Sequence, residues 1–342
     1  MNKKILLRRL LLWMISLCLL PMSACREELC YNHADHVPTV RILVIADWEL
    51  EWERLYNYDW KKDWHERIGV AYDDLRPEAA SGIRVLSFRE KGGQMKYNID
   101  GGGGLLHLDE GKNDLLFYNN DTYYVVFSDL GSFSSASAST RTKTRSTFYG
   151  LHANERTVAP PDALFGHCIE GHVSERTMED VPLPITMRPL TYTYLIRYEI
   201  VEGLQYVTQT RGAIAGMAEA VYLKNGQTTD EAVTLLYDCE MTATGAKAQV
   251  VSFGIPGYPD KYYNRAPETR VEHYALNLEC CLTNGEVRTY EFDITDQMTG
   301  QPRGGVIEVG GIKVAEPGHV GGGGFSVDVT DWGAYEDVEI EF

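Results

Sequence analysis

The chain has 342 residues, with 49 acidic against 32 basic side chains and a formal net charge of −17. That length is enough for two domains of ordinary size. So large an excess of carboxylates excludes a protein that tracks nucleic-acid phosphates, and one held electrostatically on an anionic membrane surface.

Residues 1–24 read as a signal peptide. Lys3, Lys4, Arg8 and Arg9 form a basic end, Leu10 to Leu20 a short apolar core, and Ser23 and Ala24 a small-residue cleavage site. The apolar run is shorter than the roughly 20 residues a membrane-spanning helix needs. Met22-Ser23-Ala24-Cys25 resembles the bacterial lipobox, in which the cysteine is acylated by chains such as palmitate and becomes the mature N-terminus. The order of these features favours a lipoprotein over an ordinary signal peptide with an incidental cysteine. Arg26-Glu27-Glu28 resembles the signal that moves such proteins to the outside of the outer membrane in Bacteroidetes. The expected location is therefore the outer membrane, exposed at the cell surface and held by lipid on Cys25, with residues 25–37 as a tether. Each buried methylene of an acyl chain contributes about 0.8 kcal/mol, and two chains give stable anchoring.

Beyond the tether the dominant signal is alternation. Thr39 to Ala46 is β-rich and apolar enough to lie inside a sandwich. Ile83–Phe88, Met95–Ile99, Leu115–Tyr118 and Tyr123–Phe127 follow as short strands, separated by Gly92-Gly93, Gly101 to Gly104 and Asn119-Asn120-Asp121. Short strands broken by turn residues at such intervals predict a β-sandwich. Between the first two, Trp48, Trp52, Tyr56, Trp60 and Trp64 stand four apart, which on a helix makes one aromatic stripe. Two uses fit them: a platform for glycan or a partner, or a connecting excursion whose aromatics cover the sandwich. The second is favoured. Residues 131–147, rich in Ser and Thr with Arg141, Lys143 and Arg145, bury little by composition and are expected to form a mobile loop open to trypsin-like cleavage.

The second half repeats this grammar. Tyr192, Tyr194, Ile196, Tyr198 and Ile200 share one strand face, and Asn284-Gly285 between two strands is a strong hairpin signal. Phe325, Val327, Val329, Val338, Ile340 and Phe342 alternate with polar residues to the last position. A domain boundary at 183/184 divides an N-terminal β-sandwich, 38–183, from a C-terminal one, 184–342.

No constellation carries catalysis. HExxH, GxSxG and CxxC are absent, and the glycine runs at 101–104 and 321–324 lack the following lysine of a phosphate loop. His33, Asp35 and His36 lie in the tether, where preorganisation for a metal is poor. Cys30, Cys168, Cys239, Cys280 and Cys281 make an odd set without regular spacing, which leaves one disulfide or buried free thiols open. No enzyme, catalytic residue, metal or cofactor is expected.

Several stretches together carry a family likeness. The lipobox, Ala46-Asp47-Trp48, Tyr118-Asn119-Asn120-Asp121, Gly212 to Leu223 and the Val327…Trp332…Val338-Glu339-Ile340 ending resemble the fimbrillin-related lipoproteins of Bacteroidetes, which include minor subunits that anchor type V fimbriae. The resemblance implies an all-β chain of two tandem transthyretin-like Greek-key β-sandwiches. It also implies fimbrial subunits as partners, joined by strand addition to an exposed sheet edge. The aromatic segment reads as an insertion, which keeps a surface glycan bound by Trp48, Trp52, Trp60 and Trp64 as the alternative.

Overall fold

The computed structural model describes residues 39–54, 59–90, 92–144, 152, 154–259 and 273–318. The lipobox with Cys25, Cys30, His33, Asp35, His36, Tyr56, Arg145 and the alternating segment from Phe325 to Phe342 lie outside the described residues. Among those described, no helix is long and apolar enough to cross a membrane.

The chain is all-β. Its first half supplies β1 (Val40–Trp48), β2 (Gly82–Arg89), β3 (Gln94–Asp100), β4 (Gly103–Leu108), β5 (Gly111–Asn119), β6 (Val125–Ser128), β7 (Ser137–Thr140), β8 (Arg156–Val158), β9 (Phe165–Ser174) and β10 (Val181–Pro189). Seven of these close in the order β1-β10-β9-β5-β2-β3-β4. The closure is narrow at two joints: β9 meets β10 over two residue pairs and β3 meets β4 over one. The barrel is thus two layers stitched at their rims, around a core that includes Ile42, Val44, Val85, Phe117 and Met187. At these two joints the closure satisfies only a few of the edge groups that an open sheet would expose. Gly103 makes the β3–β4 corner: at φ +118° it approaches β1 so closely that a Cβ would lie 2.1 Å from the Val44 carbonyl oxygen.

Burial explains which strands read as continuously apolar. β2 and β5 are covered on both faces, with Val85 and Phe117 inside the barrel and Leu86, Leu116 and Tyr118 in a second cluster outside it. β1 is covered on one face only. Val40, Ile42 and Val44 are buried, while Leu43 and Ile45 point outward at 39% and 48% exposure.

The second half supplies β11 (Tyr192–Glu202), β12 (Val207–Ala218), β13 (Ala220–Tyr222), β14 (Ala232–Thr242), β15 (Gly245–Ser252), β16 (Ala275–Leu282), β17 (Val287–Asp293), the short helix α1 (Thr295–Gly300) and β18 (Gly305–Lys313). They run in the order β17-β16-β12-β14-β15-β11-β18, and β8 from the first half pairs in parallel with β14. The core face of β11 is the alternating set read from the sequence, Tyr194, Ile196, Tyr198 and Ile200. The Asn284-Gly285 hairpin joins β16 to β17, with Gly285 at φ +83°.

One feature differs from the sequence expectations. The Ser/Thr-rich run is not a loop throughout: Ser137–Thr140 is β7, the middle strand of a small sheet β13-β7-β6. Ala136, Ala138 and Thr140 are buried at alternate positions, and these small side chains let the strand pack tightly against Leu86, Tyr118 and Val221. The aromatic segment forms no α-helix over its described residues. It runs as turns and two single-turn 3-10 helices, Glu66–Ile68 and Tyr72–Leu75. Cys168, Cys239, Cys280 and Cys281 form no disulfide among the described residues, and burial pushes the Cys280 thiol up to about 12.

Candidate functional site

The aromatic segment is a strap. It leaves β1, crosses to the second half and lies on the outer face of β11 and β18. There Trp52, Ile68 and Leu75 pack on Leu195 and Val306. Backbone bonds fasten it: the Thr193 amide donates to the Trp52 carbonyl at 2.7 Å, and the Arg54 amide to the Arg303 carbonyl at 2.8 Å.

The four tryptophans have separate duties. Trp48 ends β1, donating Nε1 to the Gly101 carbonyl at 2.8 Å and meeting the Phe165 ring edge-on at 5.0 Å. Trp52 is 1% exposed, so neither ring face is open to a ligand. Trp64 meets Trp52 at 5.6 Å, Trp60 at 6.2 Å and Tyr72 at 5.4 Å, all edge-on, and donates Nε1 to the Val70 carbonyl. Such contacts contribute about 0.5–1.5 kcal/mol each beyond area burial. Trp52, Trp60 and Trp64 therefore come together, but onto one another; Trp48 stands apart in the barrel. Burial, with the Glu53 carboxylate that accepts the Tyr72 hydroxyl at 2.9 Å, raises the Tyr72 phenol well above its ordinary range.

The open sheet offers two outer edges, and they are not equivalent. On β18, two glutamines stand in for a neighbouring strand. Gln301 donates to the Val306 carbonyl at 2.9 Å and accepts from the Val306 amide at 2.6 Å. Gln297, one helical turn earlier, does the same for Glu308 at 2.9 and 3.0 Å. On β17 the Leu282 amide bonds the Glu286 carbonyl across the hairpin, so antiparallel alternation turns the amides of Val287, Thr289, Glu291 and Asp293 away from β16. Among the described residues no strand pairs with that side. Gln297 and Gln301 were not singled out by the sequence reading; their four-residue spacing carries no mark of their partners.

No group of three or more metal-ligating side chains occurs among the described residues.

A family model described as "Domain of unknown function (DUF5119)" matches residues 58–238. No curated protein matches the chain. Among solved structures, a candidate adhesin from Bacteroides ovatus ATCC 8483 is similar over 87% of this chain and 99% of its own, at 17% identity and a TM-score of 0.57. A second Bacteroides ovatus candidate adhesin aligns over 81% of this chain and 88% of its own, at 11% identity and a TM-score of 0.45. The fimbrial anchor protein of Porphyromonas gingivalis aligns over 79% and 90%, at 9% identity and 0.43. The first of these, with a TM-score above one half, shares the fold of this chain.

Proposed function

The chain belongs to the DUF5119 family, and from that premise we propose that it is a surface lipoprotein of adhesin or fimbrial type that joins partner subunits by accepting a strand at β17. The observation that carries this proposal is the asymmetry of the two edges. β18 has the outward groups of Val306 and Glu308 taken by Gln301 and Gln297, while β17 presents four outward amides over seven residues. An extended segment satisfies such a row, and alternate side chains dock beside Tyr290 and Phe292 at the margin of the main core. The shared fold with the Bacteroides ovatus candidate adhesin supports the class of function. The lipobox supports a lipid anchor at Cys25 on the cell-surface side of the outer membrane. The two halves are read as transthyretin-like Greek-key modules, the first flattened and closed at its rims. Neither half is assigned chemistry; the protein works by holding.

Capture of the native protein from outer membranes should recover a fimbrial subunit. Thr289→Pro deletes one outward amide at a position where an edge strand tolerates proline, and should abolish that recovery while leaving the membrane-bound amount unchanged. Undiminished recovery by the variant, or no subunit with the native protein, overturns strand addition at β17. Mass spectrometry of the native N-terminus should show an acylated Cys25; an unmodified thiol removes the anchor.

A further inference from the structure

Beneath the strap is a recess of about 580 Å3 whose lining includes neither β17 nor any of the four tryptophans. That volume is in the range of small-molecule sites. Its floor is the outer face of β15, β11 and β18; one wall is Ile68–Gly69 of the strap, the other the hairpin tip Thr242–Thr244.

The charges on the floor are set in order. Register places Glu240, Lys247, Arg197 and Glu308 in one row across β14, β15, β11 and β18. Lys247 pairs with Glu240 at 3.4 Å and Arg197 with Glu308 at 2.5 Å, so the row is neutral. Its two cations stand directly opposite each other, an arrangement that costs a sheet stability. Glu199 follows on the same face, and its carboxylate has no hydrogen bond or ion pair among the described residues.

The backbone is shaped around the same spot. Tyr198 faces Val309, but Ile200 faces Ile312, so β18 carries one extra residue at Gly310-Gly311. Gly311 takes φ +75°, and a Cβ on Gly310 would come within 2.8 Å of the Glu199 carboxylate. Bulges bend a strand and re-aim its side chains, and they gather beside functional sites. The Ile200 amide is taken by the Thr244 carbonyl at 2.9 Å, which ties the hairpin wall to the bulge.

We propose that this recess binds a neutral, hydroxyl-rich ligand: a hexose or N-acetylhexosamine unit of a glycan. The one charge left without a partner is an anion, so an acidic sugar is repelled. A metal cation would find a single free carboxylate flanked by Lys247 and Arg197, so it is disfavoured too. A hydroxyl group suits the site, donating to Glu199 and accepting from the guanidinium N–H groups of Arg197 that Glu308 leaves available. Thr242 and Thr244 add hydroxyls of either sense, and Ile68 offers an apolar wall to the ring's C–H face. The site is independent of strand pairing at β17 and stands or falls without it.

The test is an array of neutral, N-acetylated and sialylated oligosaccharides probed with the purified full-length chain in detergent, beside Glu199→Gln and Trp60→Ala. Retention of neutral or N-acetylated sugars should fall at least about tenfold in Glu199→Gln, the scale of one lost charge-assisted hydrogen bond, with an unchanged melting temperature. Trp60→Ala should retain them as the parent does. No retention of any sugar, preference for the sialylated forms, or retention unaffected by Glu199→Gln overturns the assignment.

Discussion

At the scale of single residues, tryptophan spacing shows what sequence can and cannot disclose. A repeat of four is visible from Trp48 to Trp64, but the same spacing fits a helix face and an irregular strap. What decides between them is the patch formed by Leu195 and Val306, far downstream in the second half. Trp52 is the strap's anchor, so Trp52→Ala should cost about 3–5 kcal/mol, as truncation of a buried aromatic does; chemical denaturation gives the value. Trp60, at the strap's partly exposed end, should cost clearly less, and equal losses would contradict this packing. Asp121 makes a separate point about pH. Burial alone would raise its carboxyl, but donors on Asn119 and Ser81 outweigh burial and hold it below the ordinary range. The native form therefore binds fewer protons than the unfolded chain around the ordinary value of about 3.9. Its contribution is present above that pH and lost as pH falls through the lower folded value. Asp121→Asn should flatten the acid limb of stability below about pH 4. Parallel acid limbs in parent and variant would show the carboxylate to be silent.

At the scale of elements, alternation identified strands well where one face is apolar and the other polar, as in β11 and the β16–β17 hairpin. It missed β7 because its buried positions, Ala138 and Thr140, and Ala136 just before it have small side chains that give composition little to register. This bears on cleavage. The Arg141 amide bonds the Tyr124 carbonyl at 3.0 Å and its guanidinium lies 4.7 Å over the Tyr123 ring, so brief trypsin treatment should spare that bond. A primary cut after Arg141, read by mass spectrometry of the fragments, would show β7 to be less secure than its packing. The glutamine caps on β18 lead to a second expectation at this scale. An uncapped edge is a template for another chain. Gln297→Ala with Gln301→Ala should therefore raise the concentration-dependent mass by light scattering, whereas a mass equal to the parent's at every concentration would mean the caps protect nothing.

At the scale of the whole molecule, an all-β chain was legible from period two and turn residues alone. How the halves are joined was not, because contacts between distant segments leave no local pattern. Besides the parallel pairing of β8 with β14, the joint has three parts. The small sheet takes β6 and β7 from the first half and β13 from the second, with Ala220 facing Ser139 and Tyr222 facing Ser137. One core combines Leu86, Leu116 and Tyr118 with Val221, Leu223 and Phe253. The strap then lays first-half aromatics on second-half strands. With this much apolar surface shared, neither half can open without exposing the other's core, so unfolding should be one cooperative event. Leu223, 1% exposed and set between the halves, is the place to test it. Leu223→Ala should cost about 2–5 kcal/mol and shift two signals together: tryptophan fluorescence, with four of its six indoles in β1 and the strap, and far-ultraviolet dichroism, which reports every strand. Coincident midpoints moving by the same amount would mark a single folding unit. Separate midpoints, with only one displaced, would mean that the shared layer is a contact between two independent bodies.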